Sequence, residues 1–221
     1  MDIRPEHIDV ASRYKLLIGS IVPRPIAVVS TLSPDGRPNL APFSFFSGVG
    51  SNPLTLLFCP ANDASGKDKD TLRNCKPRAE GGAGEFVVNV APISIIHKVV
   101  AASEPLPHGE SEFELVGLTP VPSSVVGPPR VLESPVAFEC RTLQIIRTNS
   151  GAPSGGNIVI GEVVSVFVRD DAINERYHVD PEVLDLAGRM GGAAYCTTRE
   201  RFDVPMGRDA ISHPFIPDRD R

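Results

Sequence analysis

The chain has no excess of positive charge, no membrane-length apolar run and almost no cysteine pattern, and each absence removes a class of function. Twenty-two Lys and Arg stand against 27 Asp and Glu, a formal net charge of −5. A polybasic surface for nucleic acid or anionic lipid is therefore not expected. No apolar stretch approaches the roughly 20 residues that span a bilayer, and the start, "MDIRPEHIDVASRYK", lacks the cationic flank and apolar core of a secretion signal. These features predict a cytoplasmic protein without a membrane partner. The four cysteines, Cys59, Cys75, Cys140 and Cys196, are scattered and form no CxxC pair, so neither a zinc site nor a disulfide framework is expected, and Cys59 and Cys140 read as reduced core thiols. His97 reads as an outward residue of a helix rather than a metal ligand.

Catalytic signatures are equally scarce. There is no GxxxxGK[ST], no GxSxG and no HExxH, which removes the usual support for phosphate-loop, α/β-hydrolase and zincin chemistry. Two glycine clusters, "GGAGEF" at Gly81–Phe86 and "GRMGG" at Gly188–Gly192, fail the dinucleotide test, because that fingerprint must follow a strand and open a helix. The first of them is expected to be a loop.

What is present is mostly β. "SRYKLLIGSIV" spaces Tyr14, Leu17, Ile18 and Ile21 at helical intervals after Ser12, a candidate N-cap. "RPIAVVSTLS" is a strand that turns through "SPDG" into "RPNLAPFSFF", predicted to return antiparallel to it. "LTLLFC" and "EFVVNV" are further strands. "KDKDTLRNCK" reads as a short helix capped by Asp70, and "APISIIHKVVAAS" as an amphipathic helix with Pro92 near its start and Ile93, Ile96 and Val100 on one face. Prolines punctuate Glu104 to Pro135, an extended excursion. "PVAFECRTLQIIRT" and "NIVIGEVVSVFVRD" form a long hairpin. Few helices and no βαβ alternation predict a single, mainly β domain over 1–221, with its core at about 14–196 and a loosely held or partner-reaching tail from 205.

The segment "NLAPFSFFSGVGSNP" groups aromatics with small hydroxyl residues and has no charge. It suits a flat ligand with a polar edge. Together with "RPIAVVST", "KDT", "EFVVNV", "GLTP" and "RMGGAAY", its order and spacing from Tyr14 to Tyr195 resemble the flavin reductase-like family. The resemblance implies an antiparallel FMN-binding split β-barrel, usually homodimeric. It further implies FMN as cofactor, NADH or NADPH as co-substrate, and a monooxygenase component as a candidate protein partner. Two features depart from shorter family members: the loop "CKPRAEGGAG" and the proline-rich excursion.

Under that resemblance, Ala41, Pro42, Phe43, Ser44 and Phe45 are candidates for the isoalloxazine edge, with Pro42 expected to interrupt the ladder and free neighbouring main-chain donors. Lys69, Asp70 and Thr71 are candidates for the phosphate region, with Asp70 better suited to order the turn than to touch an anion. Ser30 and Thr31 are further phosphate or ribityl candidates, only one of which can face the ligand side of its strand. Arg189 is a candidate for the phosphate or a partner carboxylate, and Tyr195 for the flavin edge. Asn39 and Asn89 read equally as turn and sheet hydrogen-bonders, and Arg24 equally as a surface charge. The expected activity is NAD(P)H-dependent reduction of flavin or another acceptor, with no catalytic acid or base. The alternatives are a non-catalytic FMN carrier or sensor and, more remotely, a heme- or pyridoxal-phosphate-related split barrel.

Overall fold

The computed structural model describes residues 1–107 and 110–212. In chain order the elements are α1 (Val10–Ser20), β1 (Ala27–Leu32), β2 (Pro38–Phe43), β3 (Phe46–Ser51), β4 (Leu54–Phe58), α2 (Asp70–Cys75), β5 (Glu85–Val90) and α3 (Ile96–Ala101). There follow α4 (Glu112–Val116), β6 (Pro120–Val121), β7 (Arg130–Val131), β8 (Val136–Arg147), β9 (Asn157–Val168), α5 (Pro181–Leu184), β10 (Ala187–Arg189), β11 (Tyr195–Thr197) and α6 (Asp209–Ser212). The expected tail from 205 is described only as far as α6; its remainder lies outside the described residues.

Seven strands form one antiparallel sheet in the order β2-β1-β5-β8-β9-β4-β3. Its two edges, β2 and β3, are consecutive in the chain and separated only by Ser44 and Phe45. Two residues span a few ångströms, so the sheet must curl until its edges meet at that link. The result is the split barrel implied by the resemblance: it closes through the chain at Ser44–Phe45 while β2 and β3 remain unpaired with each other.

Alternation along β1 sorts the core. Ala27 and Val29 point into the barrel, where they meet Phe58, Phe86, Val88, Cys140 and Val159. Phe58 links Phe43 and Phe86, with ring centroids at 5.1 and 5.3 Å, and Leu72 and Cys75 of α2 plug one end of this interior. Val28 points outward into a second cluster, in which Leu40 packs with Ile95, Val99, Phe113 and Val116 under α3 and α4.

Polar anchors hold the proline-rich excursion on this outer face. Buried Glu139 accepts the N–H groups of Ser124, Val125 and Val126 at 2.8, 2.7 and 3.3 Å. Asn89 accepts from Val131 N–H at 2.9 Å and donates to the Val28 carbonyl at 3.0 Å. The excursion is therefore fixed by carboxylate and amide groups that satisfy its otherwise unpaired backbone.

Three local expectations are corrected. The cap of α1 is Asp9, whose carboxylate accepts both the N–H and the hydroxyl of Ser12; the helix starts earlier than Ser12, and only Ile18 is buried in it while Tyr14, Leu17 and Ile21 are exposed. The N-cap of α2 is Lys69, which makes no side-chain cap bond, and Asp70 is the first helical residue, ion-paired with Arg73. In the "APISIIHKVVAAS" segment a 3-10 turn, Ile93–Ile95, precedes α3, which shifts the phase. Ile95 and Val99 are the buried pair there, and Val100 is exposed.

Candidate functional site

The open edge of β2 is where nine of the twelve sequence candidates converge, Ser30, Thr31 and Phe45 being the exceptions. Leu40 gives its N–H to Glu112 Oε2 at 2.9 Å, away from β1, and Pro42 has no N–H. Since successive residues alternate sides, Ala41 and Phe43 turn their N–H groups toward Val29 and Ala27 of β1, their register partners. Pro42 therefore does not interrupt the ladder, which runs through it opposite Val28. The edge is open because β2 is terminal in the sheet, and a proline is tolerated there because its missing donor faces outward.

Two cavities lie along this edge. One of about 260 Å³ is lined by Ala41, Pro42 and Phe43 from β2, by Lys69, Asp70 and Thr71 from the start of α2, and by the segment from Ala102 to Leu106 with Glu112. The other, about 380 Å³, is lined by Pro42, Phe43 and Ser44 together with Tyr14, Val99, Arg189 and Tyr195. Pro42, Phe43 and Ser103 border both, so the two form one track with Phe43 at its middle.

At the α2 end, Asn39 donates to Thr71 Oγ1 at 3.0 Å and to Thr31 Oγ1 at 3.2 Å, and Asn74 donates to Thr31 Oγ1 at 2.9 Å. The Thr71 hydroxyl is thus an acceptor of Asn39, and its own proton has no acceptor among the described residues. Of the carboxylates lining this end, Asp68 and Asp70 are ion-paired, whereas Asp63, Glu104 and Glu112 form no ion pair with the described residues. Asp68 takes Arg147 in a two-pronged bond at 2.7 and 2.9 Å and Lys76 at 2.8 Å, and the Arg147 bonds, ahead of Lys76, hold its carboxyl below the usual range despite partial burial. Asp70 pairs with Arg73. Lys69 is exposed and forms no ion pair with the described residues. Burial pushes the Glu112 carboxyl up, against the lowering by the Leu40 N–H.

At the other end, the Arg189 guanidinium lies 4.3 Å from the Tyr195 ring centroid and donates to the Gly192 carbonyl at 2.6 Å. Ser44 accepts from Arg24 Nε at 3.2 Å. Phe45 borders neither cavity and lies near Arg24, 5.8 Å from its ring centroid.

Ser30 and Thr31 also border neither cavity. Both are fully buried. Ser30 faces outward and donates to the Pro129 carbonyl at 2.5 Å, while Thr31 faces inward as the acceptor that seats Asn39 and Asn74. Thr31 therefore touches the track only through Asn39. Sequence reasoning did not single out Ser103 or Glu112, which carry no motif and sit after a helix and inside the proline-rich excursion. It left Asn39 and Arg24 undecided because their roles depend on strand parity and burial.

All four cysteines are free, and burial raises the thiol pKa of Cys59, Cys75 and Cys140, so these three thiols are poor nucleophiles. Among the described residues no cluster of His, Cys, Asp or Glu is suited to a metal ion, and no helix is long and apolar enough to cross a membrane.

Residues 18–193 match the family model described as flavin reductase like domain. An uncharacterized protein of Halalkalibacterium halodurans is 36% identical over 205 residues, covering 92% of this chain and 95% of its own length. Among solved structures, nitrilotriacetate monooxygenase component B from Bacillus cereus superposes with a TM-score of 0.84 at 33% identity, covering 92% of this chain and 98% of that one. The 2-nitrobenzoate 2-nitroreductase of Pseudomonas fluorescens does so with a TM-score of 0.81 at 30% identity, covering 94% and 97%.

Proposed function

The chain belongs to the flavin reductase-like family, and from that premise we propose that it binds FMN along the β2 edge and reduces it with NADH or NADPH. The observation that carries this reading is a set of polar groups along one track whose hydrogens have no acceptor among the described residues: the Lys69 ammonium, the Thr71 hydroxyl and the Ser44 hydroxyl. A ligand with an anionic end, a polyol chain and a flat, acceptor-edged ring fits that sequence of groups. Bound flavin supplies the two-electron chemistry. The chain supplies position and polarity: Lys69 and Thr71 hold the phosphate, Phe43 and Pro42 pack against the middle, and Ser44 with Arg189 and Tyr195 borders the ring end.

The phosphate belongs beside Lys69 rather than in the neighbouring cavity of about 420 Å³ around Arg37 and Glu110. That cavity is lined by four carboxylates, Asp35, Asp70, Glu110 and Glu112, against two guanidiniums, Arg37 and Arg73, which are paired with Asp35 and Asp70. Carboxylates border the cavity beside Lys69 as well, namely Asp63, Asp68, Asp70, Glu104 and Glu112, and what distinguishes it is Lys69 itself, a cation with no ion pair among the described residues.

We further propose a homodimer. Tyr14 and Leu17 on α1, Ile21 just after it, Val49 on β3, Leu54 on β4, and Leu143 and Ile146 on the far half of the β8–β9 hairpin are all exposed, and two-fold pairing is the commonest way to cover exposed apolar side chains. A monooxygenase component is the protein partner suggested by the Bacillus cereus structure, and 2-nitrobenzoate is the acceptor named for the Pseudomonas fluorescens enzyme. The cytoplasm is the expected location.

Equilibrium ultrafiltration with FMN tests the binding claim. Retention of one FMN per chain, with weaker retention of riboflavin, is expected. A chain that retains neither overturns the proposal.

A further inference from the structure

Arg24 is 3% exposed, yet no carboxylate among the described residues lies within ion-pair distance of it. A buried guanidinium without a counter-ion is costly unless its donors are satisfied. Here Nη1 donates to the carbonyls of Ile18 and Ile21, each at 2.6 Å, Nη2 donates to the Met190 carbonyl at 3.0 Å, and Nε donates to Ser44 Oγ at 3.2 Å. Its main chain also pairs in both directions with Arg189, at 2.9 and 2.8 Å. One side chain thereby joins the end of α1, the β10 turn and the two-residue link that closes the barrel.

The bond to Ser44 has a chemical consequence. A guanidinium has no acceptor, so in this pair the hydroxyl oxygen can only accept. The Ser44 proton must point elsewhere, and no acceptor among the described residues takes it. Ser44 borders the cavity shared with Arg189 and Tyr195. A charged donor on the oxygen also polarises the O–H and strengthens it as a donor.

Resting on the flavin reading above, we propose that Arg24 is a positioning residue that fixes Ser44 as a committed hydrogen-bond donor to a carbonyl oxygen of the flavin ring. The carbonyl oxygens gain electron density when the ring is reduced, so a donor aimed at one of them binds the reduced form more tightly than the oxidised form. Arg24 itself does not touch the flavin. Its three carbonyl bonds hold the guanidinium in the orientation that presents Nε to Ser44, a planar geometry that lysine cannot reproduce.

The test is the midpoint potential and visible spectrum of bound FMN in four chains: the parent, Ser44→Ala, Arg24→Lys and the double variant. Ser44→Ala leaves the Arg24 carbonyl bonds in place, so folding is not at stake in that arm. In Ser44→Ala the ratio of reduced to oxidised FMN affinity should fall about tenfold, which is a potential about 30 mV lower for a two-electron couple. Arg24→Lys keeps the charge but loses the Nε bond, and should lower the ratio in the same direction. In the Ser44→Ala background Arg24→Lys should add nothing. A purely structural Arg24 would lower stability and leave the potential of the folded, loaded protein unchanged. An unchanged or raised potential in FMN-loaded Ser44→Ala overturns the proposal while leaving FMN binding intact. A parent chain that takes up no FMN overturns this inference together with the reading beneath it.

Discussion

Asn39 on β2 and Thr71 on α2 are joined by a 3.0 Å hydrogen bond from the asparagine amide to the threonine hydroxyl. This bond ties the open edge of the barrel to the helix that plugs its end, and it leaves the Thr71 proton without an acceptor among the described residues. Replacing Asn39 by Ala should therefore act twice. It removes an amide that serves both Thr31 and Thr71, at a cost to stability of about 1–3 kcal/mol, and it frees the Thr71 hydroxyl to rotate. Urea denaturation and FMN titration should both register the change. Full FMN affinity in a destabilised Asn39→Ala variant would show that Thr71 needs no orientation.

Lys69 and Thr71 are expected to hold the phosphate. Changing both to Ala should remove charge-assisted bonds worth roughly 1.5–3 kcal/mol apiece, with incomplete additivity between neighbours. FMN affinity should then fall on the order of tenfold to several hundredfold, while riboflavin affinity stays near that of the parent. The FMN-to-riboflavin ratio, taken at two salt concentrations because an exposed ammonium is screened, is the quantity to measure. An unchanged ratio would place the phosphate elsewhere, with Arg189 next in line.

Much of this was legible in the sequence, for identifiable physical reasons. The β8–β9 hairpin, the β1–β2 return and the α2 segment carry strong local signals: long β-branched runs, a Pro-Asp-Gly turn and a short polar stretch after a loop. The curl of the sheet carries none, because it follows from two edge strands sharing a two-residue link. Strand parity decided between Ser30 and Thr31, and both turned out to be occupied by structural partners. The α1 cap was misplaced because Asp9 lies ahead of the apolar periodicity that marks the helix, and the α2 cap because Lys69 caps through its backbone alone. Arg24 stayed undecided between a site residue and a surface charge because its acceptors are mostly main-chain carbonyls, which no residue pattern reveals.

Acid should loosen the loop before α2. The folded-state pKa of Asp68 is lowered, chiefly by Arg147. A lowered carboxylate contributes stability that is fully present above its unfolded value of about 4 and is lost as pH falls below that value. The parent should thus lose urea resistance between about pH 5 and pH 2, and Asp68→Asn should be less stable than the parent at pH 7 but show a smaller acid-dependent loss. Parallel pH profiles for the two chains would contradict this assignment.

Gly161 on β9 tests the barrel interior. A Cβ there would lie within 2.8 Å of Phe86 Cε1 and closer still to Cζ, and Phe86 is fully buried between Phe58 and the sheet. Gly161→Ala should destabilise the fold by about 1–3 kcal/mol through overpacking, read as a lowered urea midpoint. Shortening the clashing partner, with Phe86→Leu in the same chain, should recover part of that loss. A Gly161→Ala chain as stable as the parent would argue against this packing.

The central claim is that the track along β2 serves flavin reduction, and NAD(P)H oxidation by the purified chain tests it most directly. With added FMN and either NADH or NADPH, oxidation of the nicotinamide should proceed steadily, depend on both the chain and FMN, and slow when Lys69 and Thr71 are replaced together at limiting FMN. A chain that binds FMN but leaves both nicotinamides unoxidised would contradict the claim.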